Sequence, residues 1–259
     1  MTPAFWPLPL VLAVFAAPDL APARPAAPAP APAPLACIAK HYVGTAVNRD
    51  GAWELALPSG ARVPYESEVK DVYELVYKTG AIEPITDPDY DPGRVRLEEV
   101  MRATYGATAA EVQAQLVTVR MRGQGFRVHK RIEAPFRRVA ARLDAAARTK
   151  EGRGMDRFFV SPGGTFNWRF IAGTKELSMH SWGIAIDLDP SVGHYWRNVP
   201  EAQRTWKNRV PQVIVDAFEA EGFIWGGRWF HYDTMHFEYR PELLEAVCYP
   251  ATGARAPVL

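Results

Sequence analysis

The sequence predicts an α+β fold in which a small antiparallel sheet carries helices packed on one side. Three observations predict it. Residues 134–152 and 210–223 set apolar side chains at helical spacing. Residues 115–132 are strand-like on both sides of Gly123 and Gly125, as a hairpin requires. The run GIAIDLDP at 183–190 alternates with period two, and HFEY at 236–239 offers it a second short strand.

Taken in order, the chain opens on FWPLPLVLAVFAA at 5–17, an apolar run the length of a signal-peptide core. It is too short for a permanent membrane span, so residues 1–17 are expected to be an export segment, although no Lys or Arg precedes the run. Residues 18–36 are almost entirely Pro and Ala, which favours a stiff, extended spacer. The expected location is therefore periplasmic, cell-envelope or extracellular. In such a compartment Cys37 and Cys248, the two cysteines, form a candidate disulfide joining the ends of the folded part.

Residues 37–110 are expected to be a helical extension packed on a main domain at 111–250, with a tail at 251–259. Within the extension, 38–65 alternates short apolar groups with turn signals, as irregular structure with short strands does. Val69, Val72, Tyr73, Val76 and Tyr77 recur at helical steps through 65–80, where Gly80 closes the helix. ITDPDYDPG at 85–93 is a loop, and 94–106 reads as a second helix ending at glycine. Thr108 followed by Glu111 is a capping pattern. Beyond the hairpin, Pro135 sits in a first helical turn and Phe136, Val139, Ala140 and Leu143 make the buried stripe of 134–152. In 210–223 the inward residues are Val213, Ala217 and Phe218.

Composition excludes several functions. Thirty basic and twenty-nine acidic residues leave a net charge of +1 without a run of one sign, so no nucleic-acid footprint is present. Aromatic residues at 12%, with eight tryptophans, exclude a disordered chain. A monomer without stable membrane insertion of the mature domain is expected.

The chemistry concentrates in two clusters, SMHSWGIAIDLDP at 178–190 and WGGRWFHYDTMHFEYR at 225–240. Strand alternation puts Asp187 opposite the apolar Ile184, Ile186 and Leu188, and an ionised carboxylate inside an apolar strand is costly unless paired or metal-bound. Gly183 lets the chain turn so that His180 approaches it. His236 and Glu238 share one face of the later strand, and Asp233 lies across a turn. Two histidines and one carboxylate around a zinc ion leave a position open for water, and hydrolysis then needs a further carboxylate as base. His180, Asp187 and His236 as ligands with Asp233 as base satisfy that count. The same residues are equally compatible with ordinary strand and loop caps.

The combination S-x-H-x₂-G-x-A-x-D at 178–187, G-F-x-W-G-G at 222–227 and D-x₂-H-F-E at 233–238 resembles the M15 zinc peptidases. These include D-alanyl-D-alanine carboxypeptidases of the vancomycin-resistance type and L-alanyl-D-glutamate endopeptidases of lysins. The resemblance spans about 160–240 strongly and the region from about 115 less closely, while 38–110 matches no known pattern. It implies the hedgehog-like peptidase scaffold with one zinc per chain on the sheet, held by His180, Asp187 and His236. It further implies Asp233 as general base, Arg169 in FNWRF as the group that holds and polarises substrate, and Ser178 as a brace for the first ligand. The implied substrate is a peptidoglycan peptide, cleaved by a carboxypeptidase or alternatively by an endopeptidase. A non-catalytic wall-binding domain is the reading from another class.

Other residues carry lesser expectations. His231 is an alternative ligand but reads more naturally as support. Glu238 is an alternative base or an orienter of His236. Trp225, with Trp229 and Phe230, either lines a cleft or fills the core, and His194, Tyr195 and Trp196 form a loop suited to a cleft wall. Arg169, Arg228 and Arg240 are the arginines available to recognise a substrate carboxylate. His129 has no evident partner.

Overall fold

Proline opens the first helix of the chain. In this computed structural model, which describes Met1 and residues 29–250, α1 runs Ala33–His41 with Pro34 in its first turn, where a missing N–H costs nothing. The end of the Pro/Ala tract is thus helical where an extended spacer was expected. The expected export segment beyond Met1, most of the spacer and the tail 251–259 lie outside the described residues.

Helix α1 buries Leu35, Cys37 and Ile38, and Cys37 is disulfide-bonded to Cys248 with Cα atoms 5.6 Å apart. Lys40 and His41 both donate to Glu245 at the same corner. The bridge closes a loop spanning 211 positions, so reduction should lower unfolding free energy by about 2–4 kcal/mol. Urea unfolding with and without a thiol reductant checks this, with a Cys37→Ser/Cys248→Ser variant as control.

The short strands expected within 38–65 form an antiparallel meander of β1 (Thr45–Arg49), β2 (Ala52–Ala56) and β3 (Arg62–Pro64), so the extension 37–110 is not helical throughout. Asp50 and Gly51, both at positive φ, supply the two-residue turn between β1 and β2. The helix expected over 65–80 stops at Tyr73. Tertiary contacts override its periodicity, because the Tyr77 hydroxyl is drawn inward to donate to Glu219 and accept from the Trp225 N–H, each at 2.7 Å. The next helix, α2 (Glu98–Tyr105), starts four residues later than its apolar spacing suggests and ends at Gly106. Thr108 caps α3 (Ala109–Gln113) by accepting from the Glu111 N–H, while Glu111 reaches back to the Ala107 N–H.

Strands β4 (Leu116–Met121) and β5 (Gln124–His129) form the expected hairpin around Arg122 and Gly123. His129, at the end of β5, is buried and has two partners after all: its Nε2–H donates to the Tyr105 carbonyl and its Nδ1 accepts from the Arg131 N–H. That arrangement fixes the neutral ring, and burial, aided by Arg131 and Lys130, pulls its pKa down to about 4. The native state therefore binds fewer protons than the unfolded chain. The stabilisation is complete above the unfolded value of about 6.5 and is lost as pH falls toward 4, by about 2 kcal/mol after allowance for screening. Urea midpoints across that pH window should show the loss in the wild type, and a shallower one in His129→Gln.

Helix α4 (Glu133–Ala146) buries Phe136, Val139, Ala140 and Leu143 as its pattern requires. The last sheet has the order β6-β8-β7, with β6 (Ala185–Asp187), α5 (Gln212–Glu219), β7 (Phe223–Trp225) and β8 (His236–Tyr239), all antiparallel. In α5 the buried residues are Ile214, Val215, Ala217 and Phe218, with Val213 only partly covered. Phe218 stacks on Phe237 of β8 at 4.2 Å, and Phe136 of α4 meets Phe223 of β7 at 6.1 Å. Helices α4 and α5 thus cover one face of the sheet. The opposite face carries Asp187, His236 and Glu238, by the alternation of strand side chains. Among the described residues no helix is long and apolar enough to cross a membrane.

Candidate metal centre

His180 is presented by a single helical turn, Met179–Trp182, whose N-cap is Ser178 with its Oγ accepting the His180 N–H. Gly183 ends that turn at φ 64°, and a Cβ there would lie 2.7 Å from Leu116 Cδ2, so glycine is required both by conformation and by space. The chain then enters β6, where Asp187 stands directly across from His236 of β8. A close pass of the 161–166 loop closes the floor: Asp187 N–H donates to the Gly164 carbonyl, and a Cβ on Gly163 would meet the Asp187 Cβ at 2.8 Å.

Three donor atoms converge. His180 Nε2 lies 3.2 Å from Asp187 Oδ2 and 3.3 Å from His236 Nδ1, and His236 Nδ1 lies 2.9 Å from Asp187 Oδ1. The far nitrogen of each ring is tied to an acceptor, His180 Nδ1 to the Thr165 carbonyl at 3.3 Å and His236 Nε2 to Glu238 Oε2 at 3.1 Å. Those bonds fix the tautomers and turn both remaining lone pairs toward Asp187. The separations approach the ~3.3 Å edge of a tetrahedron with ~2.0–2.1 Å metal–ligand bonds. His180, Asp187 and His236 therefore fit a metal ion. The electrostatics agree. Burial opposes a charge on His236, yet Asp187 and Glu238 raise its pKa to about 10. Against the pull of its own burial, the two imidazoles hold Asp187 well below the carboxylate range. The pocket favours a cation.

The centre lies in a cleft of about 480 Å³ including its open mouth. Asp233 lines it, just before β8, with Oδ1 buried and unpartnered among the described residues. Burial, reinforced by Asp187 and opposed by His236, raises the Asp233 pKa to about 7. Arg169 lines the same cleft with an exposed side chain, its backbone held by Ser178 N–H and the buried Ser181 hydroxyl. Tyr195 of the 190–209 loop forms part of the wall, as expected for that loop.

The structure favours one of the alternatives left open for several residues. Trp225 is a core residue, fully buried, its indole N–H donating to the Thr234 carbonyl, while Trp229 is the tryptophan that reaches the cleft. Strand β7 is buried on both faces, so alternation could not distinguish the two. His231 pairs with Asp91 at 2.7 Å, a support position rather than a ligand. Glu238 is taken by His236 and by Arg96 at 2.8 Å, which places it behind the ring. Arg228 and Arg240 are locked in buried pairs with Glu219 and Glu242 and do not line the cleft.

Two charged cleft residues were not expected from the sequence, Arg94 and Arg96. They stand in the extended stretch before α2 that periodicity assigns to the helix. Their only sequence signal is the alternation R-V-R after Pro92-Gly93.

Two imidazoles and a carboxylate at the open face of an antiparallel sheet, with a protected carboxyl beside them, make a candidate mononuclear metal centre. Residues 172–239 match the M15 peptidase family model described as D-alanyl-D-alanine carboxypeptidase. The segment holds His180, Asp187, Asp233 and His236, while Arg94, Arg96 and Arg169 fall before it. No curated protein and no solved structure matches the chain.

Proposed function

We propose that the protein is an exported zinc peptidase that removes the terminal D-alanine of peptidoglycan stem peptides. The convergence of the His180, Asp187 and His236 donors, each imidazole steered by a hydrogen bond on its far side, carries this reading. These three residues would hold one zinc per chain, which when bound polarises the scissile carbonyl and acidifies water. Asp233 takes the proton from the attacking water and passes it to the leaving amine, a role suited to a carboxyl whose pKa lies near neutrality. Arg169, exposed in the cleft and unpaired among the described residues, stabilises the charge that develops on the carbonyl oxygen. Ser178 braces His180. Residues 111–250 form the catalytic domain and 37–110 its packed extension. The disulfide fits an oxidising compartment.

Metal analysis of the purified chain together with mass spectrometry of digested muropeptides tests the reading. Equimolar zinc and loss of one alanine per stem are expected, while a severed stem would transfer the assignment to the endopeptidase. No zinc binding and no product with zinc supplied would leave a wall-binding module instead.

A further inference from the structure

The geometry points to Arg94 as the residue that reads the substrate: its guanidinium takes a free carboxylate on the carbon that bears the leaving nitrogen. The inference rests on the peptidase reading and adds a chemical requirement to it. Of the arginines in the cleft, Arg96 is spent on Glu238, at 2.8 Å, and on the Arg94 carbonyl. Among the described residues Arg94 is ion-paired to no carboxylate. It donates to the His231 carbonyl at 2.9 Å and lies 4.2 Å above the Trp229 ring, and its buried Nε has no partner among the described residues. Trp229 and the carbonyl fix the plane of the fork, leaving a pre-oriented guanidinium edge for a planar anion.

The charge balance of the cleft calls for such an anion. Arg94, Arg96 and Arg169 face Asp187, Asp233 and Glu238, so a divalent cation at the centre leaves two positive charges uncompensated. With Arg169 assigned to the carbonyl oxygen, one guanidinium remains. Both stem-peptide substrates offer it the same group. In acyl-D-alanyl-D-alanine the terminal carboxylate sits on the carbon bearing the leaving nitrogen. In an L-alanyl-γ-D-glutamyl bond the γ-linkage leaves the α-carboxylate on the equivalent carbon. Arg94 therefore demands a free carboxylate at that carbon in either case, and amidating it removes the substrate.

The test measures kcat/KM of the zinc-loaded chain on a diacetyl-L-lysyl-D-alanyl-D-alanine peptide and its C-terminal amide. A second pair is an L-alanyl-γ-D-glutamyl peptide and its isoglutamine counterpart. The pair that is cleaved identifies which carboxylate the enzyme meets. Within it the wild type should prefer the acid by about 100-fold. Arg94→Gln should lose most of that factor on the acid and far less on the amide, bringing the ratio near one, and Arg94→Lys should recover part of it. A merely structural Arg94 would lower both substrates alike, and that result overturns the inference. So does a wild type that cleaves acid and amide equally, a comparison that needs no variant to fold. If neither acid is cleaved, the peptidase reading itself fails and this one falls with it.

Discussion

Asp233→Asn should lower kcat by about 10³-fold while zinc content stays at one per chain. The substitution preserves size, so the buried position stays filled, and the three metal donors are untouched. What disappears is the lone acceptor of a proton in the cleft, since Asp187 is consumed by two imidazoles and Glu238 by His236 and Arg96. A pH profile adds a second readout. Burial lifts the Asp233 pKa to about 7, and the base form is the one required. Wild-type kcat/KM should rise with pH through that region, on a limb that a bound divalent cation moves to lower pH by favouring the carboxylate. The asparagine variant should lack the limb. If it keeps near-wild-type kcat with full zinc, the base is another group, and Glu238 is the next to be tested.

The candidate metal donors were legible in the sequence through the resemblance of their motifs, and strand alternation agrees with it. Period-two alternation puts Asp187 on the face away from Ile186, and His236 on the face away from Phe237, so pairing the two strands sets them together. Serine, a short helical turn and Gly183 then suffice to bring His180 over the same face. Arg94 and Arg96 were not legible, because what places them is remote. Arg96 meets Glu238 142 positions away, and Arg94 meets His231 137 positions away. Nothing in RVRLEEVMRATYG says that its first residues leave the helix to serve a cleft. Tyr77 is the same case: helical spacing predicts its burial correctly, but the Glu219 carboxylate and the Trp225 N–H draw it in on an irregular segment. Spacing reports that a residue is inside. It does not report which partner holds it there.

The buried ion network behind His236 leads to a second large effect. Arg240→Met should lower the unfolding free energy by about 3–5 kcal/mol. The guanidinium is 1% exposed and donates to Glu242 at 2.5 Å, to the Gly93 and Val95 carbonyls, and to Glu238 at 3.4 Å. Methionine matches much of its volume, so the loss comes from charge rather than from a cavity. Glu242 is left with the Tyr42 hydroxyl as its side-chain partner, and two carbonyls lose their donor. The effect also reaches the metal. Glu238 orients the His236 ring, and with Arg96 as its one remaining guanidinium partner zinc affinity should fall by about 10- to 100-fold. Arg240→Met/Glu242→Gln separates the two consequences, since removing both charges together should restore much of the stability while the weakened hold on Glu238 persists. Urea unfolding and zinc titration of the single and double variants measure each term. A double variant no more stable than the single one would show that the carbonyl contacts of Arg240, and not its pairing with Glu242, hold this corner to the β6-β8-β7 sheet.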